Sequence, residues 1–185
     1  MAEVAKLKKL KRFGCRLADV SGEGIKYLED LKDLTRLELR ETSIDDGSLE
    51  MISNLSKLEY LDISECRTLK CKTLGALGKL TGLRYLELRE LRKVKDENFA
   101  ALATLVNLTE LNLEATQVTD ASAAVLLKMQ KLERLSIAGS QMGDEGIVQL
   151  SQLPALKWLN LNNSRPRPET IAALKAAKPD LEIVE

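Results

Sequence analysis

The 185-residue chain has no histidine. That removes the usual general base, the usual proton shuttle and the commonest metal ligand. Phosphate-cradling and nucleophile motifs are also missing: no G-x-x-x-x-G-K, G-x-G-x-x-G or G-x-S-x-G occurs, and the ten glycines are scattered. Neither charge dominates, since 28 basic side chains face 28 acidic ones. A balanced chain has no general attraction to nucleic acid or anionic lipid, so neither is expected as a partner. No apolar run approaches the roughly 18 residues of a membrane helix. The opening stretch, MAEVAKLKKLKR, lacks an apolar signal core. Cysteine is scarce and odd in number, at Cys15, Cys66 and Cys71, with no C-x-x-C pair. Buried free thiols in a reducing, cytoplasmic setting are the expectation, although a Cys66–Cys71 bridge is open on spacing alone. These absences exclude most catalytic chemistry. No enzyme activity, cofactor or metal is expected.

Leucine is what the chain has instead, and it is periodic. Leu34-x-x-Leu37-x-Leu39 returns as Leu58-x-x-Leu61-x-Ile63, Leu83-x-x-Leu86-x-Leu88 and Leu108-x-x-Leu111-x-Leu113. Leu132-x-x-Leu135-x-Ile137 and Leu156-x-x-Leu159-x-Leu161 follow, and a degenerate copy, Leu10-x-x-Phe13-x-Cys15, comes first. The repeats begin at 10, 34, 58, 83, 108, 132 and 156, a period of 24 or 25 residues. Counted from the first Leu, with one inserted residue allowed in the two 25-residue repeats, positions 1, 4, 6, 11, 16, 19 and 22 are apolar in all seven copies, 49 places in all, with Pro166 the one exception. Chance does not produce this pattern.

Two periods inside each repeat assign its parts. Positions 4 and 6 alternate with polar 3, 5 and 7, as in a half-buried strand. Positions 16, 19 and 22 mark one face of a short helix. Asp46, Asp96, Asp120 and Asp144 stand just before that face, where a carboxylate is expected to cap the first free amides of its own helix. Position 9 carries Thr42, Cys66, Thr116, Ser140 and Ser164, small groups able to turn inward and bond buried backbone.

The motif at this period resembles leucine-rich repeats. Leu61-Asp-Ile-Ser-Glu-Cys-Arg-Thr-Leu69 is similar to the cysteine-containing class known from F-box substrate adaptors, and Leu113-Glu-Ala-Thr-Gln-Val-Thr-Asp120 to the L-x-L-x-x-T-x-[IV]-T-D form common in bacterial members. The resemblance implies an α/β solenoid: seven parallel strands in a curved sheet, with helices on the convex side. It implies one domain over 1–185. Residues 1–9 form a half-repeat from a longer array or a cap, and 179–185 close the other end. An adaptor or effector fragment fits such a chain. A structural spacer between domains is the alternative, and a leucine-rich-repeat GTPase activator a remote one, disfavoured because those repeats are longer.

The expected function is a non-catalytic module whose concave face binds a protein partner, the module itself being a monomer. Three of the four Tyr and Trp side chains fall at position 3: Tyr60, Tyr85 and Trp158. With Arg36 in the same row and Asp62, Glu87 and Arg89 beside it, they make an aromatic patch with a charged rim, the composition of a binding hot spot. Trp158 stands three repeats from Tyr85 and is expected to meet only a long ligand. Two acidic columns, Glu38-Asp62-Glu87 and Glu41-Glu65-Glu90, flank Arg40 and Arg89. A self-neutralised net is the competing reading of that face. Carboxylates on a flat strand face converge poorly on calcium.

Overall fold

The computed structural model describes all residues, Met1–Glu185. Alternation at positions 3 to 5 produces strands β1 (Arg12–Gly14), β2 (Arg36–Glu38), β3 (Tyr60–Asp62), β4 (Tyr85–Glu87), β5 (Glu110–Asn112), β6 (Arg134–Ser136) and β7 (Trp158–Asn160). They form one parallel sheet in chain order, and like positions pair: Arg36 with Tyr60, Tyr60 with Tyr85, Tyr85 with Glu110. An eighth strand, β8 (Glu182–Val184), pairs with β7 where only a closing cap was expected. Its apolar Ile183 lies opposite Leu159 in the register of a further repeat.

The strands are short, but the ladder does not stop at their ends. Position 8 is left-handed in all seven repeats, at Leu17, Glu41, Glu65, Glu90, Ala115, Gly139 and Asn163. In the first six its amide donates to the position-7 carbonyl of the next repeat, as Glu41 does to Ser64 and Glu65 to Arg89, each at 3.0 Å. This turn swings the chain off the sheet. Only Gly139 and Asn163 are residue types that favour a positive φ, so the turn was invisible in the sequence.

The outer layer is built from short helices: α1 (Gly22–Ile25), α2 (Asp46–Ile52), α3 (Asp96–Phe99), α4 (Ala123–Leu126), α5 (Asp144–Gln149) and α6 (Pro168–Ala177). The third repeat has only a 3-10 segment, Leu74–Lys79. There a Cβ at Gly78 would stand 2.8 Å from the Ala101 carbonyl oxygen, so glycine lets the two outer turns close up. All but five of the 49 periodic positions are buried, and the five, Leu10, Phe13, Cys15, Pro166 and Ala177, lie in the first and last repeats. The first nine residues only partly cover the N-terminal end. Met1 and Val4 pack on the core, but Leu7 is 54% exposed.

The aspartates do something other than cap their own helices. Asp46 accepts the amides of Lys70, Cys71 and Lys72 in the next repeat at 2.9–3.1 Å. Asp96 takes the Thr119 amide and hydroxyl, and Asp144 the Arg167 amide. The cap of α2 belongs to Asp45, in a reciprocal pair with Ser48. The carboxylate one turn back reaches forward because the next repeat's turn presents amides with no partner of their own. At position 9, Cys66 Sγ and Ser164 Oγ bond the carbonyls of Leu39 and Ile137 in the preceding repeat, whereas Thr42 and Thr116 bond carbonyls of their own repeat. All three cysteines are free thiols, two of them buried, so the Cys66–Cys71 bridge is not formed. Burial pushes the Cys71 thiol up to about 12.

Candidate functional site

Position 3 of each strand points away from the core, and in-register pairing sets neighbouring side chains one strand apart. Flat side chains at that spacing stack. The rings of Tyr60 and Tyr85 lie face to face, 4.0 Å between centroids and 6° from parallel. The guanidinium of Arg36 covers the outer face of Tyr60 at 3.5 Å, held by a hydrogen bond from its Nε to Glu38 Oε1. Further along the row, Arg134 lies over Trp158 at 4.2 Å. Four of the seven anticipated residues, Arg36, Tyr60, Tyr85 and Glu87, therefore form one connected group.

Asp62 and Arg89 are committed elsewhere. Asp62 Oδ1 accepts the amide and the hydroxyl of Ser64, at 2.9 and 2.6 Å. Arg89 turns to Glu65, whose Oε1 also accepts from Arg40 at 2.6 Å, so one carboxylate lies between two guanidinium groups. The position-8 column is thus partly neutralised. In the position-5 column only Glu38 has such a partner, Arg36.

Glu87 is the exception in that column. It is 9% exposed; its Oε2 accepts from the Tyr85 hydroxyl at 2.9 Å, and its buried Oε1 has no hydrogen-bond partner. Burial raises its pKa; the Tyr85 hydroxyl, the Arg89 amide and the Asn112 side chain pull it down, and the Asp62 charge pushes it up. Tyr85 is raised as well, by burial first and then by the Glu87 charge.

Trp158 is nearer the site than its place in the sequence implied. Between Tyr85 and Trp158 the sheet face holds a hollow of about 180 Å³ that both rings line. Its floor and walls include Glu87, Glu110, Asn112 and Arg134. The last three were absent from the anticipated site although they occupy its own rows. Their signal was the row itself: Glu110 and Arg134 fill positions 110 and 134 between the two aromatics. No three His, Cys, Asp or Glu side chains are grouped to hold a metal ion. No helix is long and apolar enough to cross a membrane.

The sheet and its period are matched by a family model, the leucine-rich repeat region, over residues 2–179. The chain is a leucine-rich repeat protein. Among solved structures, internalin C2 from Listeria monocytogenes is similar, with a TM-score of 0.69 and 28% identity over 94% of this chain and 69% of that one. No curated protein sequence matches the chain. On the inner face of this leucine-rich repeat protein, the row from Arg36 to Trp158 carries three of its four Tyr and Trp side chains.

Proposed function

We propose that the chain is a non-catalytic interaction module that seats a segment of a protein partner on the inner face of its sheet, along the row from Arg36 to Trp158. Membership of the leucine-rich repeat family supports the general reading. The observation that carries the specific one is the placement of aromatics. Three of the four Tyr and Trp side chains sit in one solvent-facing row, two of them bordering an open hollow. Their rings add nothing to the core between sheet and helices. At a solvent-facing site they give large, rigid contact area at low entropic cost, and arginine supplies the polar counterpart. Balanced overall charge gives no support to nucleic acid or membrane as the partner.

The test compares partner capture by the wild type, by the pair Tyr60→Ala with Trp158→Ala, and by Glu50→Ala on the outer helix α2. All three are checked by thermal melting. Truncating two anchors is expected to weaken binding by about 2 kcal/mol or more, roughly 30-fold, while Glu50→Ala binds as wild type. A folded double variant that captures its partner unchanged removes this face as the site.

A further inference from the structure

Resting on the interaction reading above, we propose that the hollow between Tyr85 and Trp158 receives the guanidinium of an arginine side chain from the protein partner, laid on the free face of Tyr85 and paired with the carboxylates of Glu87 and Glu110.

Three observations converge on that occupant. The first is an interrupted stack. One face of Tyr85 is covered by Tyr60, and the ring also lines the hollow. The protein twice completes such a stack with its own guanidinium, Arg36 over Tyr60 at 3.5 Å and Arg134 over Trp158 at 4.2 Å. The second is a missing donor. Glu87 is buried, it borders the hollow, and its Oε1 bonds nothing. A carboxylate oxygen shut away from water without a donor is costly to the free protein. The terminal torsion of a glutamate is broad, so a small turn of the carboxylate presents an oxygen to an entering N–H. The third is the weakly held charge of Glu110. Its ion pair with Arg134 is 3.7 Å long, beyond hydrogen-bond reach, because Arg134 is drawn over Trp158 instead.

Two carboxylates beside an aromatic face call for a planar cation with several donors. A guanidinium stacks flat and spreads five N–H groups in a fork, which lets it lie on Tyr85 while bonding both acids. An ammonium offers a strongly hydrated point charge without a plane to stack. An anion would meet Glu87 and Glu110 directly. The space, about 180 Å³, admits one side-chain head rather than a folded element.

Trp158 is the only tryptophan in the chain and stands in the wall of the hollow, so its fluorescence reports occupancy. The probe is the capped tripeptide acetyl-Gly-Arg-Gly-amide, titrated against the whole chain beside the lysine and citrulline analogues. The arginine peptide is expected to give a saturable change with a Kd of about 1 mM, as befits one isolated side chain. The analogues should bind at least about tenfold more weakly. Glu87→Gln keeps the shape and removes the charge, and should lose about tenfold in arginine-peptide affinity. Absence of a saturable change, equal binding of the citrulline peptide, or unchanged affinity in Glu87→Gln each overturns the assignment. So does a partner that depends on Tyr60 and Trp158 yet binds unchanged when every arginine in its contacting segment is replaced by lysine. That last result leaves the interaction module standing and removes only its arginine.

Discussion

Replacing Tyr85 by phenylalanine tests the energetic account of the inner face without disturbing its shape. The ring stays, and with it the stack on Tyr60; only the hydroxyl that donates to Glu87 Oε2 at 2.9 Å is lost. Since Glu87 Oε1 already has no partner, Tyr85→Phe strips the buried carboxylate of the hydroxyl that donates to Oε2 as well. A hydrogen bond to a charged buried acceptor is worth about 1.5–3 kcal/mol, and that is the expected loss at pH 7. The loss should shrink in acid. Burial raises the Glu87 pKa above its unfolded value of about 4.3, so the folded protein takes up this proton more readily than the unfolded chain. Ionising Glu87 therefore costs stability as pH rises from the unfolded pKa through the folded one, and the Tyr85 hydroxyl offsets part of that cost. Below that window the acceptor is neutral, and Tyr85→Phe should cost only about 0.5–1.5 kcal/mol. Urea unfolding of wild type and variant at about pH 4 and pH 7, with m unchanged, measures both ends. In a Glu87→Gln background the pH dependence of the difference should vanish. A loss below about 0.5 kcal/mol at pH 7, or one independent of pH, would refute the assignment of that hydroxyl as a support for a buried charge.

Asp46→Ala removes the acceptor for three amides of the following turn and should cost about 1–2 kcal/mol in urea unfolding, like the loss of a strong helix cap. The Asp144 carboxyl is held low, first by the hydroxyl of Thr170 and then by the Arg167 amide, so its contribution is present above the unfolded value near 3.9 and lost as pH falls through the lower folded pKa. Asp144→Asn should accordingly flatten the acid end of a stability–pH curve followed by circular dichroism. Amides of residues 1–20 should exchange faster than those of residues 83–161, because Leu7 and Leu17 are 54% and 72% exposed while the central leucines are buried. Equal protection at the two ends would mean that Met1–Lys9 seals the core.

The core was legible because its information is one-dimensional. A residue such as Leu86 is inward for the same reason as Leu61 and Leu111, and seven copies average out local noise. What the sequence concealed was polar and depended on reach between repeats. Asp46 stands where a helix cap belongs, yet its oxygens bond Lys70, Cys71 and Lys72, more than 20 residues on. Glu41, Glu65 and Glu90 carry no mark of the left-handed backbone they adopt. The site was half visible for a related reason. The rows placed Tyr60 beside Tyr85, but not the choice each guanidinium makes: Arg36 lies on a ring, whereas Arg89 pairs with a carboxylate. Nor does linear spacing reveal that Trp158, two strands beyond β5, closes the same hollow as Tyr85.

One methylene separates the proposed site from the scaffold at position 5. Asp62, Asn112 and Asn160 are short there, and each uses its Oδ1 to accept the amide two residues on, from Ser64, Glu114 and Asn162 at 2.8–3.0 Å. Such side chains complete a tight local turn and have little left to offer a ligand. Glu38 and Glu87 are one carbon longer, and they bond side chains instead, Arg36 and the Tyr85 hydroxyl. Glu87→Asp should therefore convert a site residue into a scaffold residue. The Arg89 amide already helps to hold the Glu87 charge; the shortened carboxylate would take that amide in the closer geometry that Asp62 has with Ser64, strengthening the bond to a buried oxygen at the cost of one buried methylene. These effects are about 1–3 and about 0.8 kcal/mol, and the Tyr85 hydroxyl, near the open hollow, recovers its bond from water. The expected result is a variant at least as stable as wild type at pH 7 that no longer binds the arginine peptide. Stability from urea unfolding and affinity from Trp158 fluorescence should thus move in opposite directions or part company. A variant that loses stability and affinity together would show that Glu87 serves the fold as the aspartates do, and that its length has no bearing on binding.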